Sequence, residues 1–305
     1  MKLIKLVLCI TLAALAFTAR AEEQMTFAYA PYTMNNPFWL AVLDGVKEEA
    51  DKVNVKIVSI DPQNDQARMN DQVGDLVSSK VDAIMFAPID SAGAKPALEI
   101  AKKAGIPVIN FDNPVVDQDL VVSVVASDNF KAGVVVGEHM MKQLPKGSKI
   151  AVLHLPSGQV CIDRVEGFYK TIGNYFEVVT ELDGKGDTGV SLPLAEDILQ
   201  STPDLKAFFA VNDPSAIGCI MALKAHPEFK GVLVYGVDGS PNFKKLIEKG
   251  DGTATAAQSP ITVGKETFKA AYKAVKGEPV QKKIDVPTFL ITKENLKEYG
   301  VDGWQ

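Results

Sequence analysis

The chain has 305 residues with 38 acidic and 32 basic side chains, which gives a formal net charge of −6. An acidic chain without basic runs argues against nucleic acid as a partner. Its length exceeds that of a usual single hydrophobic core, and this predicts two lobes.

The first 21 residues have the pattern of a secretory signal peptide. Lys2 and Lys5 give a basic start, an apolar run extends from Leu6 to Phe17, and a small-x-small motif ends at Ala21. The apolar run is shorter than the roughly 20 residues that span a bilayer, which argues against a membrane anchor. We therefore predict an exported protein that is cleaved after Ala21.

From Met25 onward, short β-branched or aromatic runs alternate with amphipathic stretches. The first series contains the runs MTFAYA, VKIVSI, DAIMFAP and PVINFD; the rhythm breaks near LVVSVVASDN and restarts at SKIAVLHL. Such alternation predicts parallel sheets that are covered by helices on both faces. We expect an α/β fold with two doubly wound, Rossmann-like sheets in series, one in each lobe.

Doubly wound sheets bind ligands beyond the carboxyl ends of their strands, and polar or aromatic residues recur there in this chain. The candidate ligand-binding residues are Tyr32, Asn36, Phe38, Trp39, Asp112, Asn113, Arg164, Asn212, Asp238 and Gln258. Amides, carboxylates and one guanidinium can pair with the hydroxyls of a sugar, and flat aromatic rings can cover its C–H faces. A polar residue in such a place can instead cap the next helix, and for Asp213 and Ser240 we favour this interpretation.

The motifs NNPFW, INFD, ASDN, DRVEGF, VNDPSAIG, GVDGSP and ATAAQSP follow one another along the chain. As an ordered set they resemble successive blocks of the ribose-type periplasmic sugar-binding proteins, the solute receptors of ABC importers. The resemblance covers essentially the whole mature chain and implies the type I periplasmic binding protein fold, in which three crossovers join two lobes. The crossovers would lie near Ser127–Asp128, Gln258–Ser259 and Val286–Pro287. The implied lobes are residues 22–127 with 259–287 and residues 128–258 with 288–305.

The resemblance also implies a function without catalysis. A monomeric receptor in the periplasm would close its lobes over a neutral sugar or polyol and deliver it to the membrane permease of an ABC importer. A chemoreceptor is a further candidate partner, and no cofactor or metal is expected. Phe38 and Trp39 would stack on the sugar, and the polar candidates would bond its hydroxyls, with Arg164 as the only cation among them.

Two departures from the ribose-specific members bear on the ligand. Asn113 stands where those members have an arginine, and Gly186 falls at or near the position of an aromatic residue that covers the sugar. The loss of one cation and one ring favours a different pentose, a hexose, a polyol or a cyclitol over ribose. Trp304 lies in the C-terminal tail, so we expect Trp39, and not Trp304, to report ligand binding.

Other interpretations were weighed on particular residues. An exported carbohydrate hydrolase would need two carboxylates about 5–10 Å apart, for which Asp112 and Asp238 are the candidates. The G-x-G-x-x-G pattern that begins at Gly184 follows the second strand of its unit, so we interpret it as a loop at the cleft. Cys161 and Cys219 could form a disulfide or remain buried thiols. The three histidines lack metal-ligand spacing.

Overall fold

The computed structural model describes residues 24–305, so the predicted signal peptide lies outside the described residues. The strands, in chain order, are β1 (Thr26–Ala30), β2 (Lys56–Ser59), β3 (Ala83–Phe86), β4 (Val108–Phe111), β5 (Ser123–Ser127), β6 (Lys149–His154), β7 (Glu177–Asp183), β8 (Ala207–Ala210), β9 (Leu233–Asp238), β10 (Ala254–Ala257), β11 (Lys283–Val286) and β12 (Phe289–Thr292). The helices are α1 (Pro37–Lys52), α2 (Gln66–Ser78), α3 (Lys95–Lys103), α4 (Asn129–Gln143), α5 (Gln159–Ile172), α6 (Thr188–Ser201), α7 (Asp213–Ala225), α8 (Pro241–Lys249), α9 (Pro260–Val275) and α10 (Leu296–Tyr299). None of the helices in this part of the chain is long and apolar enough to cross a membrane.

The strands form two six-stranded sheets of the same design. Their orders are β11-β5-β4-β3-β1-β2 and β12-β10-β9-β8-β6-β7. Neighbouring strands are parallel, except that β12 runs antiparallel to β10 while β11 runs parallel to β5. The chain passes from one sheet to the other after β5, after β10 and after β11. The predicted α/β fold of two doubly wound lobes joined by three crossovers is confirmed.

The central strands are completely buried, as expected for parallel sheets that are covered on both faces. The four residues of β3, β4, β8 and β10 are buried without exception, whereas the edge strands β2 and β7 are partly exposed. Each sheet has a hydrophobic cluster on either side, which gives four such clusters among residues 24–305. The continuous apolar runs in the sequence therefore mark strands and not amphipathic helices.

In the first lobe, helices α1 and α9 approach each other so closely that only glycine fits at the crossing. A Cβ atom on Gly45 would lie 2.1 Å from the carbonyl oxygen of Ile261. A Cβ atom on Gly264 would lie 2.0 Å from the carbonyl oxygen of Val42. Because α1 begins at the cleft between the lobes, this crossing fixes the position of its first turn.

The second lobe repeats the arrangement with helices α4 and α5. A Cβ atom on Gly133 would lie 1.8 Å from the carbonyl oxygen of Arg164, and one on Gly167 would lie 2.0 Å from that of Phe130. The crossing therefore places Arg164 of the second lobe where the first lobe has Val42.

Candidate ligand-binding cleft

A cavity of about 930 Å³ lies between the two lobes, at the carboxyl ends of their strands. Nine of the ten predicted residues line it: Tyr32, Asn36, Phe38, Trp39, Asp112, Arg164, Asn212, Asp238 and Gln258. The first five belong to the lobe of β1, and the other four belong to the lobe of β6 or to the crossover after β10. The topology of the sheets thus brings together side chains that are more than 200 residues apart in the chain.

The wall from the first lobe is aromatic because α1 begins directly at the cleft. Asn36 caps this helix by accepting a hydrogen bond from the backbone N–H of Phe38 at 2.9 Å, and Pro37 follows at the first helical position. Phe38 and Trp39 therefore project from the first turn, with ring centroids 5.0 Å apart and the planes at 87°. Tyr32 packs on Trp39 at 4.6 Å. These rings form an apolar wall in which each flat face can cover the C–H face of a sugar ring.

Asp112 is the carboxylate of the first lobe and is held in a strained backbone conformation. Its φ is 60°, in the left-handed region, which a residue other than glycine adopts at a cost of about 1–3 kcal/mol. Burial raises the pKa of Asp112 to about 6, Arg164 opposes this rise, and Asp238 adds to it. Burial, with a contribution from Asp112, also raises the pKa of the neighbouring Tyr32. The first lobe therefore presents a buried carboxylate whose ionised form is destabilised by desolvation.

Arg164 is the cation of the second lobe and lies 3% exposed in the second turn of α5. Its Nε donates to Asn129 Oδ1 at 2.8 Å, and its Nη1 donates to the carbonyl oxygen of Val211 at 2.7 Å. The same Nη1 lies 3.7 Å from Asp238 Oδ1. Three partners from different elements therefore orient the guanidinium, whose fork has five donors.

Asp238 ends β9 with a φ of 141°, a second strained aspartate at the cleft. Gln258 Nε2 donates to Asp238 Oδ1 at 2.8 Å, and the backbone N–H of Asp213 lies 3.3 Å from Oδ2. Burial raises the pKa of Asp238, and Arg164 and Gln258 oppose the rise. Gln258 Oε1 is buried and has no hydrogen-bond partner among the described residues, so this acceptor can receive a ligand hydroxyl.

The two residues that we assigned to helix caps behave differently from each other. Ser240 caps α8 by accepting from the N–H of Phe243 at 3.3 Å, which confirms its assignment. Asp213 is instead the first residue of α7, and its buried carboxylate accepts from the N–H of Ser240 and the hydroxyl of Thr255, both at 2.7 Å. The cap assigned to Asp213 is therefore wrong. This carboxylate braces the loop after β9.

Asn212 provides the cap of α7 in place of Asp213. Its Oδ1 accepts from the N–H of Ser215 at 3.0 Å, and its Nδ2 donates to the carbonyl oxygen of Gly186 at 3.0 Å. Asn36 combines the same two roles, since it caps α1 and lines the cleft. A helix cap and a cleft residue are therefore not exclusive alternatives in this molecule.

Asn113 is the predicted site residue that the structure does not place on the cleft wall. Its side chain is completely buried, and Nδ2 donates to the carbonyl oxygen of Pro88 at 3.1 Å and to Ser91 Oγ at 3.2 Å. Asp112 lines the cleft, and its φ of 60° turns the backbone before Asn113, so the two side chains lie in different surroundings. Asn113 therefore supports the loop after β3, and the structure does not bring it to the cavity wall with the other nine residues.

Several polar residues of the cleft were absent from the sequence-based set. They are Thr33, Asn35, Gln63, Asn64, Ser157, Lys185 and Asp187. Gln63 and Asn64 follow β2 and have φ angles of 57° and 61°, so the rule of searching after each strand could have found them. Lys185 is a second cation at the cleft, although it is exposed and pairs with Asp183. Arg164 is the one that is buried.

The loop between β7 and α6 confirms the interpretation of the glycine pattern as a loop at the cleft. Gly186 lines the cleft with a φ of 64°, and a Cβ atom there would lie 3.0 Å from Asn212 Nδ2. Cys161 and Cys219 are buried free thiols. Burial raises the pKa of Cys161 to about 11. No group of three metal-ligating side chains was found in the described part of the chain.

Comparisons with known proteins agree with this architecture. The family described as periplasmic binding protein domain matches residues 27–279. The chain is 34% identical over 274 residues to the ribose import binding protein RbsB of Bacillus subtilis (strain 168), covering 90% of this chain and 89% of that protein.

Solved structures of similar fold also contain small polyhydroxyl ligands. An ABC transporter solute binding protein from Mycobacterium smegmatis with bound glycerol has a TM-score of 0.86 and 28% identity, covering 92% of this chain and 100% of that one. One from Bacillus halodurans C-125 with bound myo-inositol has a TM-score of 0.85 and 29% identity, covering 90% of this chain and 97% of that one. These relatives are binding proteins and do not support the hydrolase alternative. The chain belongs to the periplasmic binding protein family, within its ribose-type group of ABC importer solute receptors.

Proposed function

We propose that the protein binds one molecule of a neutral sugar or sugar-like polyol between its lobes and delivers it to the membrane permease of an ABC importer. The observation that carries this proposal is the convergence of Asp112, Arg164 and Asp238 from two lobes beside an aromatic wall. The ribose import relatives and the polyhydroxyl ligands of similar structures support the same class of ligand.

The polar groups of the cleft complement a ligand whose hydroxyls both donate and accept. Arg164 can only donate, and the carboxylates of Asp112 and Asp238 can only accept when they are ionised. A ligand hydroxyl can accept from the guanidinium and donate to a carboxylate at the same time. Such a bond would give the buried Asp112 carboxylate a hydrogen-bond partner. Two carboxylates against one buried guanidinium disfavour an anionic ligand. The ligand is therefore a neutral polyhydroxyl compound.

The shape of the cleft supports a ligand other than ribose. Gly186 has no side chain to cover the ligand, and Asn113 is buried away from it. The cleft therefore lacks one aromatic wall and one cation that the ribose-specific members have. We favour another pentose, a hexose, a polyol or a cyclitol.

Capture of the ligand proceeds by a hinge motion of two rigid lobes. The proposed lobes are residues 22–127 with 259–287 and residues 128–258 with 288–305, and the membership of the two sheets supports these boundaries. Because the ligand contacts both lobes, it binds more tightly to the closed form and shifts the population towards it. The closed form is then the one that the permease, and a chemoreceptor where one is used, would recognise.

A thermal-shift screen tests the binding function. The panel contains D-ribose, D-allose, L-arabinose, glycerol and myo-inositol, each against the parent and Arg164→Ala. A tight ligand at a thousandfold excess over its Kd stabilises the protein by about 4 kcal/mol. Calorimetry must then give one site per chain, and mass spectrometry must recover the ligand unchanged. Turnover of the ligand, or no shift with any sugar, polyol or cyclitol, would refute the proposal.

The export and assembly states need separate measurements. Mass spectrometry of the mature protein from the periplasm is expected to show an N-terminus at residue 22, after cleavage behind Ala21. Sedimentation is expected to show a monomer. A retained N-terminal segment or a stable dimer would contradict these two points without affecting ligand binding.

A further inference from the structure

The C-terminal tail, residues 300–305, belongs to the second lobe by its attachment. Val301 packs into the hydrophobic cluster formed by one face of the second sheet. The completely buried Lys244 of α8 donates from Nζ to the carbonyl oxygen of Gly303 at 2.6 Å and to Gln305 Oε1 at 3.1 Å. Gln305 Nε2 in turn donates to the carbonyl oxygen of Tyr299 at 2.8 Å. A buried lysine with two acceptors in the tail fixes the end of the chain to the second lobe.

The same tail reaches the first lobe through one side chain. Trp304 packs against the hydrophobic cluster that contains Phe38 and Trp39. Its ring centroid lies 6.0 Å from that of Phe38, with the planes at 79°. This is the edge-to-face geometry that aromatic pairs prefer. Phe38 is therefore enclosed by Trp39 on one side and by the indole of the tail on another.

This contact lies apart from the crossovers that join the lobes. Trp304 and Phe38 line a second cavity of about 290 Å³, whose other walls come from both lobes and include Pro37, Pro214 and Pro241. No crossover residue is among its lining residues. A hinge motion about the crossovers would therefore separate Trp304 from Phe38, because each ring moves with a different lobe.

We propose that the C-terminal tail is a strap between the lobes and that Trp304 is a positioning residue for the binding cleft. The strap holds the unliganded lobes together and fixes the Phe38 ring that forms the wall against the ligand. This rests on the proposed function for its effect on affinity, although the contact itself does not need a ligand. The strap thereby offsets part of the cost of closure before the ligand arrives.

The first test needs no ligand. The chain has two tryptophans, so Trp39→Phe leaves Trp304 as the sole indole. In that background we expect Trp304 to be quenched by acrylamide at least twofold less than N-acetyltryptophanamide. Adding Phe38→Leu, which keeps a buried apolar side chain, or Lys244→Met, which removes the donor to the tail, should raise the quenching constant about twofold. Asp302→Ala is the matched control in the tail, because its side chain is 84% exposed and forms its ion pair with Lys245 at the surface.

The second test measures binding kinetics with those members of the D-ribose, D-allose and myo-inositol set that shift the parent's melting temperature. Trp304→Ala is expected to raise the dissociation rate constant roughly twofold to tenfold, the range for one aromatic pair. The association rate constant of Trp304→Ala should stay within twofold of the parent value. Trp304→Phe keeps an aromatic ring, so its dissociation rate constant should lie close to that of the parent. Solution scattering of unliganded Trp304→Ala should give a larger radius of gyration than that of the parent or Asp302→Ala.

The outcomes separate the two proposals. Quenching of Trp304 like that of the free indole, or no response to Phe38→Leu and Lys244→Met, overturns the strap whatever the ligand proves to be. If Trp304 is protected from acrylamide as expected but Trp304→Ala leaves the dissociation rate constant unchanged, the contact is only structural. That result overturns the positioning role. If no sugar, polyol or cyclitol binds, the proposed function fails while the quenching and scattering results still decide the strap.

Discussion

The two lobes have the same strand order and the same pair of crossing helices, yet they present opposite chemistry to the cleft. In the first lobe Gly264 meets the backbone of Val42, and in the second Gly133 meets the backbone of Arg164. One position of a shared framework thus carries a buried apolar side chain in one lobe and a buried guanidinium in the other. The framework is shared, and the residue type decides whether this position packs in the core, as Val42 does, or reaches the cleft, as Arg164 does.

The aspartates of the cleft show the opposite case, in which the lobes agree. Asp112 follows β4 and Asp238 ends β9, and these are the fourth strands of their lobes in chain order. Both have positive φ angles, 60° and 141°. They differ in their partners, because Asp238 has Arg164 and Gln258 beside it, whereas the described residues of the first lobe form no ion pair with Asp112. The first lobe thus offers aromatic rings and a carboxylate with few partners, and the second lobe offers a carboxylate that is paired with a guanidinium and an amide. A ligand between the lobes can bond to both sets of groups.

The largest expected effect comes from giving the second lobe the residue type of the first. Arg164→Val would remove the hydrogen-bond donor of Asn129 and of the Val211 carbonyl, and it would remove the cation beside Asp238. Breaking a buried pair from one side costs about 3–5 kcal/mol, so the midpoint of urea unfolding should fall sharply. Calorimetry should show a loss of affinity of about a hundredfold or more.

Lys224→Ala is the control for that experiment, because Lys224 is exposed and its ion pair with Asp251 is a surface pair. It should change the free energy of unfolding by less than about 1 kcal/mol. If the two variants lose similar amounts of unfolding free energy, the buried contacts of Arg164 contribute no more to stability than a surface ion pair.

Asp112→Asn tests the desolvated carboxylate of the first lobe. The pKa of Asp112 is about 6 in the folded protein, above its ordinary value of 3.8, so the folded state binds a proton more tightly than the unfolded state. The free energy of unfolding of the parent therefore falls as pH rises through that window, by up to about 3 kcal/mol. Asp112→Asn should be more stable than the parent at pH 7.5 and equal to it near pH 3.5, by urea unfolding at both values.

The matched variant Asp238→Asn should gain less at pH 7.5, because burial also raises the pKa of Asp238 but the substitution removes the charged partner of Arg164 and Gln258. Both variants should bind ligand about tenfold or more weakly, since each loses a charged acceptor. Equal stabilisation by the two substitutions would contradict the difference between the lobes.

A smaller effect is expected at the helix crossings that the lobes share. Gly133→Ala and Gly264→Ala each place a Cβ atom within 2.0 Å of a backbone oxygen, so the helices must separate. We expect each to lose about 1–3 kcal/mol or more of unfolding free energy. Gly74→Ala in α2 meets nothing within 4 Å and should be neutral or slightly stabilising. Thermal unfolding of the three variants measures this, and a tolerated Gly133→Ala would argue against the tight crossing.

The smallest effect concerns tryptophan fluorescence, where the structure changes the expectation from the sequence. Trp39 lines the cleft, but Trp304 also lies against Phe38 across the lobes. Ligand should therefore alter the emission of both indoles. Trp39→Phe should reduce the change in intensity without abolishing it, and Trp304→Phe should reduce it less. A signal that depends on Trp39 alone would restore the original interpretation.

Much of the site was predictable because its residues follow strand ends. The β-branched runs located the strands, and the rule for open parallel sheets then selected Asp112, Asn212, Asp238 and Gln258 without knowledge of their distances. The same rule also selected Asn113, but the left-handed backbone at Asp112 turns the chain, and the Asn113 side chain bonds Pro88 and Ser91 instead of lining the cleft. The rule was not applied to Gln63, although this residue follows the end of β2, because no motif marked it as a binding residue.

The sequence by itself determined the alternation of strands and helices, the number of lobes and the polar residues at the strand ends, because these follow from local periodicity and composition. Tertiary structure alone decided which partners those residues have. Asn129 and Val211 hold Arg164, Lys244 fixes the tail, and Trp304 meets Phe38 from the other lobe. Such contacts join residues that are far apart in the chain, and their geometry depends on how helices and sheets pack. No local pattern encodes that packing.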